Sequence, residues 1–99
     1  LWANQAAGED GSMKVASEID ISMTDLKQHL QKARSSNETL YGVTSPSWDA
    51  LSDDEKKEFL KKVTEFAGKR GLSKVNLLNY RGRTVAFSNK YRFEVLPPA

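Results

Sequence analysis

The chain has 99 residues, of which 38% are hydrophobic and 28% charged, the make-up of a single ordinary globular domain. It contains no cysteine, which excludes disulfides and thiolate metal sites, and no stretch approaches the ~20 apolar residues of a membrane helix. The formal charge is only +2, yet it is divided: residues 1–55 carry 4 Lys/Arg against 10 Asp/Glu, and residues 56–92 carry 11 against 2.

Residues 1–13 are rich in Ala, Gly, Asn, Gln and acids without a period, and read as a flexible N-terminal tail or linker. Gly11-Ser12-Met13 reads as an ordinary linker or as a junction ahead of a start methionine, which would make residues 1–12 foreign. Residues 14–97 are expected to form one domain. No basic region followed by an apolar run marks a signal peptide. The lack of cysteine fits a reducing cytoplasm and a cysteine-poor envelope equally, so no localisation follows.

Val15, Ser17, Ile19, Ile21 and Met23 alternate with polar residues, which predicts a half-buried strand. Thr24 or Ser22 can cap a helix beginning at Asp25, and Leu26, Leu30 and Ala33 fall at i, i+4 and i+7, one narrow apolar stripe. Ser35-Ser36-Asn37 closes that helix. Thr39–Thr44 reads as a short strand weakened by Gly42. Ser52-Asp53-Asp54-Glu55 matches the S-x-x-E capping box and opens a second helix running to Lys69 or Arg70. Phe59, Leu60, Val63, Phe66 and Ala67 form its buried face, and Gly71 supplies the left-handed stop.

Three strands are expected at the end: 75–80, 84–87 and 91–95. Arg81-Gly82 and Ser88-Asn89-Lys90 supply the turns, and Pro97-Pro98 the stop. The expected fold class is therefore α+β: two helices packed on one face of a mainly antiparallel sheet with a C-terminal three-stranded meander.

Catalytic chemistry is not expected. His29 follows Asp25 by one helical turn with Ser22 nearby, but no oxyanion hole or strained nucleophile turn accompanies them. Asp49, Asp53, Asp54 and Glu55 suggest a hard cation, yet three of the four are explained by the helix start, and the calcium-loop pattern is absent. Gly68-Lys69-Arg70-Gly71 lies at a helix C-terminus, the wrong end for a phosphate. No metal or cofactor is expected.

Two surfaces remain. Lys69, Arg70, Lys74, Arg81, Arg83, Lys90 and Arg92 interleave with Tyr80, Phe87, Tyr91 and Phe93, a composition that can bind nucleic acid or another polyanion. Against this, the alternation places Phe87, Tyr91 and Phe93 in the core. The second surface is an apolar spot of Leu78, Tyr80 and Ala86 rimmed by Arg83 and Arg92, the composition of a protein contact. A β-bulge near Leu77-Leu78 would instead bury both leucines. Trp48 is expected to plug the core above the second helix. The favoured expectation is a non-catalytic accessory domain of a larger protein. It would bind a protein partner through the meander, with Leu78, Tyr80, Arg81, Arg83 and Arg92 as contacts and the domain a monomer. A homodimer through meander edges is the competing state.

Overall fold

The structure, a computed structural model, describes residues 17–97. The tail expected over residues 1–13 and the strand start at Val15 lie outside the described residues. In chain order the elements are β1 (Ser17–Ile19), β2 (Leu30–Ser36), β3 (Thr39–Thr44), α1 (Asp53–Lys69), β4 (Lys74–Leu78), β5 (Thr84–Ser88) and β6 (Phe93–Val95). Short 3₁₀ turns, Asp25–Gln28 and Pro46–Ala50, precede β2 and α1. The class is α+β, built from one mixed six-stranded sheet and one main helix.

The strands lie in the order of the sequence, β1-β2-β3-β4-β5-β6, and every neighbouring pair is antiparallel except β3–β4. A parallel pair cannot be joined by a tight turn, because the chain must return to the same end of the sheet. The segment carrying the second 3₁₀ turn and α1 makes that return. It lays the helix over β4, β5 and β6 on one face of the sheet.

The helix forms where its local signals agree. The Ser52 hydroxyl accepts from the Glu55 amide at 3.2 Å, and the Glu55 carboxylate accepts from the Ser52 amide at 2.9 Å. These two bonds satisfy donors that a helix start otherwise leaves free. At the other end the Leu72 amide donates to Ala67 and the Gly71 amide to Gly68, with Gly71 at φ 77°. That is the Schellman stop, and it needs a residue free to adopt positive φ. Phe59, Leu60, Val63 and Ala67 are buried against Leu40, Val75, Leu77 and Ala86 of the sheet.

The helix expected from Asp25 onward is not formed; a 3₁₀ turn and strand β2 stand in its place. Leu26, Leu30 and Ala33 are nonetheless all buried, so the stripe is real and only its cause differs. In the β2–β3 pairing, Leu30 faces Thr44 and Lys32 faces Val43, which leaves Gln31 as an extra residue. A bulge of this kind shifts the alternation by one position. Leu30 and Ala33 therefore face the core three residues apart, a helix spacing made by a strand. The hairpin from β2 to β3 turns on Asn37 and Glu38, both at positive φ (50° and 68°), the mark of a type I′ turn.

A second bulge re-aims β5. Leu77 faces Ala86 and Leu78 faces Thr84, leaving Val85 extra. Leu77 points to the core and Leu78 to the other side, so the bulge sits in the facing strand and does not bury both leucines. Ala86, expected on the outside, is fully buried. Ser88 is buried too, its hydroxyl 2.8 Å from that of Thr64 on α1. Phe87, expected in the core, consequently faces away from the helix. Tyr91 and Phe93 are 86% and 45% exposed, because β6 begins only at Phe93 and Tyr91 belongs to the turn before it. Met23 is likewise exposed, since β1 ends at Ile19 and the chain has already left the sheet.

Candidate binding site on the open sheet face

With α1 on one face, the opposite face of the sheet carries no second layer among the described residues. The strand registers align one residue from each strand into a row across it: Glu18, Arg34, Tyr41, Asn76, Phe87 and Glu94. A neighbouring row holds Lys32, Val43, Leu78 and Thr84. Side chains opposite one another in such rows are about 4.5–5.5 Å apart at Cβ, close enough to act as one surface. Tyr41, Val43 and Leu78 make its apolar centre, with Lys32, Arg34 and Ser36 around a shallow depression of about 500 Å³. Lys74 stands at the start of β4, and the Arg92 guanidinium lies 5.6 Å from the Phe87 ring centroid while pairing with Glu94. The Thr84 hydroxyl donates to the Asn76 side chain at 3.0 Å, which fixes the polar part of the row.

The five residues expected to make one contact surface are divided between two places. Leu78 belongs to the open face, and Arg92 to its β5–β6 margin. Tyr80, Arg81 and Arg83 lie in the β4–β5 turn, where they line a separate groove with Trp48 and Lys56. Tyr41, Val43, Lys32 and Arg34 were not expected at a site. The alternation of Leu40, Gly42 and Thr44 with Tyr41 and Val43 carries the signal for the last strand residues, since burying one set exposes the other.

The residues that suggested chemistry have other partners. His29 Nδ1 meets the Ser47 hydroxyl at 2.8 Å, and its ring packs edge-on against Phe59 at 5.1 Å. Ser47 donates to the Gln28 carbonyl at 2.8 Å, and Ser22 bonds to Asp20 rather than to His29. Among the described residues, no three His, Asp or Glu side chains converge in a way that could hold a metal ion. Asp53, Asp54 and Glu55 occupy the first turn of α1.

The Ser52 amide, and then its hydroxyl, hold the Glu55 carboxyl below the ordinary carboxylate range. A carboxyl whose folded pKa is depressed stabilises the fold above its unfolded pKa, and that contribution is lost as pH falls through the folded value. Melting temperatures of the wild type and Glu55→Gln should therefore differ most near neutral pH and converge at the acid end. A gap that does not change with pH would show that the Glu55 charge contributes nothing.

No helix among the described residues is long and apolar enough to cross a membrane. Comparison of the chain with family models, with curated proteins and with solved structures finds no match.

Proposed function

We propose that this chain is a non-catalytic binding domain that receives an acidic segment of a protein partner on the open face of its sheet. The observation that carries the reading is an apolar centre of Tyr41, Val43 and Leu78 set among the cations Lys32, Arg34 and Lys74. The only ion pair among the described residues is Arg92 with Glu94, so those three cations have no described carboxylate at ion-pair distance, although Glu18 stands opposite Arg34 in the row. Apolar anchors beside these cations suit a segment that offers Leu or aromatic side chains flanked by Asp or Glu. Charge complementarity of this kind speeds encounter and selects partners, while the apolar contacts hold them.

The non-catalytic part is supported by the surroundings of Ser47, whose hydroxyl is shared among three partners at 2.8 Å: the His29 ring, the Gln28 carbonyl and the Ser45 hydroxyl. These bonds tie the Pro46–Ala50 turn to the segment before β2, a structural use of the His29–Ser47 contact. Polyanion binding is the competing reading, supported by Tyr41 and Phe87 lying in one row. Lys57, Lys61 and Lys62 weaken it: they are exposed on α1, in the layer on the opposite side of the sheet. The basic half thus forms no continuous stripe for a phosphate backbone to follow. A monomer is supported by the β6 edge of the sheet, since β6 has three residues and leaves little backbone for another copy to pair with.

The test is peptide display against the folded domain, followed by amide-shift titration. Enriched peptides should combine acids with Leu, Phe or Trp and move amides of β2, β3 and β4. Tyr41→Ala with Leu78→Ser should weaken binding at least about tenfold, the usual cost of losing a central anchor. Unchanged affinity in a folded double variant would remove the site. Saturable shifts on this face with single-stranded oligonucleotides at physiological salt would replace the protein partner by nucleic acid.

A further inference from the structure

The groove that gathers Tyr80, Arg81 and Arg83 is separate from the open face and rests on different observations. Its volume is about 540 Å³, and it is also lined by Trp48, Asp49 and Lys56. Four parts of the chain meet there: the Pro46–Ala50 turn brings Trp48 and Asp49, the first turns of α1 bring Lys56, the β4–β5 turn brings the arginines, and the segment after β6 brings Leu96. That last turn is held from inside. Asn79 Oδ1 accepts from the amides of Arg81 at 2.9 Å and Arg83 at 3.1 Å, and Gly82 sits at φ 81°. The two arginines therefore project from a fixed loop.

Lys56 is the decisive residue. The residue as a whole is only 7% exposed, its ammonium lies 5.7 Å from the Trp48 ring centroid, and its side chain makes no ion pair or hydrogen bond with the described residues. A buried ammonium is ordinarily paired, because leaving water without a counter-charge is costly. Here the indole face offsets part of that cost. Arg81 stands 5.4 Å over the Tyr80 ring. Three cations and one carboxylate, Asp49, leave the groove two positive charges in excess. A phosphate monoester carries about −1.5 to −2 charge at pH 7 and three acceptor oxygens, which matches that excess better than a single carboxylate does. Trp48, Val85 and Leu96 give the groove an apolar wall for the group that bears the phosphate.

We propose that this groove binds a phosphate monoester carried on an aromatic or aliphatic group, with Lys56, Arg81 and Arg83 as its cation set.

Amide-shift titration with phenyl phosphate at physiological salt tests this. Saturable shifts should appear at the Trp48 indole N–H and at residues 79–84, and benzoate should bind at least about tenfold more weakly, since it lacks one charge and one oxygen. A capped phosphotyrosine peptide forms a second arm. Tighter binding than phenyl phosphate would identify a phosphorylated protein as the source, and equal binding a free phosphorylated compound. Lys56→Met keeps the buried stem and should weaken phenyl phosphate about tenfold. Should that variant fail to fold, Arg83→Gln, at an exposed position, should show a smaller loss in the same direction. Absence of saturable shifts, equal binding of benzoate, or full binding by a folded Lys56→Met would each overturn the proposal.

Discussion

Trp48→Ala is expected to remove about 3–5 kcal/mol of folding stability, the range for truncating a buried aromatic residue. Small domains have only about 5–15 kcal/mol in total, so this variant should be at the edge of folding. Trp48 is 2% exposed although it comes from a five-residue 3₁₀ turn, so its side chain anchors the turn in the core, beside the hydrogen bonds that Ser45 and Ser47 make to His29 and Gln28. Its ring meets Phe59 at 6.0 Å with an interplanar angle of 67°, an edge-to-face contact, and Phe59 in turn meets His29. Removing the indole opens a cavity among these rings and takes away the aromatic face beside the Lys56 ammonium. Urea unfolding followed by far-UV circular dichroism should show a lower midpoint with an unchanged slope, the sign of lost stability rather than of a changed unfolded state. A loss below about 1 kcal/mol would mean that neighbouring groups refill the site.

The second large effect concerns the place where α1 meets the centre of the sheet. Gly42 and Leu77 face each other across the β3–β4 pair on the core side. A Cβ at Gly42 would lie 3.0 Å from Leu77 Cδ2 and 3.2 Å from Leu30 Cδ2, closer than ordinary packing allows. The missing side chain is the space that those two leucines fill. Leu77→Ala should cost about 2–5 kcal/mol, and Gly42→Val, which adds methyls to a filled core, about 1–3 kcal/mol. Together they should cost less than the sum by about 0.5–3 kcal/mol, because the valine occupies the room that the leucine leaves. Thermal melts should show the pattern plainly, since 1 kcal/mol moves the midpoint of a domain this size by about 4–8 °C. Strict additivity would show that the two side chains do not share one space.

The open face and the groove were legible in the sequence to different degrees. Tyr80, Arg81 and Arg83 could be placed together because they flank a turn that Gly82 announces, and a turn is a local event. Their meeting with Trp48 and Lys56 depends on how α1 crosses the sheet, which no local pattern records. Leu78 was expected outside and is, whereas Ala86 was expected beside it and is buried. The strand alternation was read correctly as a period of two, but the bulge at Val85 reverses it within β5, and a bulge leaves no mark in hydrophobicity. The same cause defeated the reading of β2, where Gln31 spaces Leu30 and Ala33 like a helix. The hairpin that would have argued for strands there carries Asn37-Glu38 where Asn-Gly is the usual signal. Glu38 is held in its positive-φ conformation by tertiary partners: its carbonyl accepts from the amides of Ser73 at 2.9 Å and Lys74 at 3.1 Å.

What the sequence determined by itself is what is settled within a few residues. The capping box at Ser52 and Glu55, the helix to Lys69 with its buried face, the stop at Gly71 and the turn at Gly82 all follow from contacts between near neighbours. So does the identity of most core positions, because burial follows from being apolar whichever element carries the residue. The tertiary structure decided the rest: the parallel pairing of β3 with β4, the two bulges and the face left open. Those outcomes are set by which strands lie side by side, and a strand's partner is chosen by the packing of the whole sheet against α1 rather than by the strand's own residues.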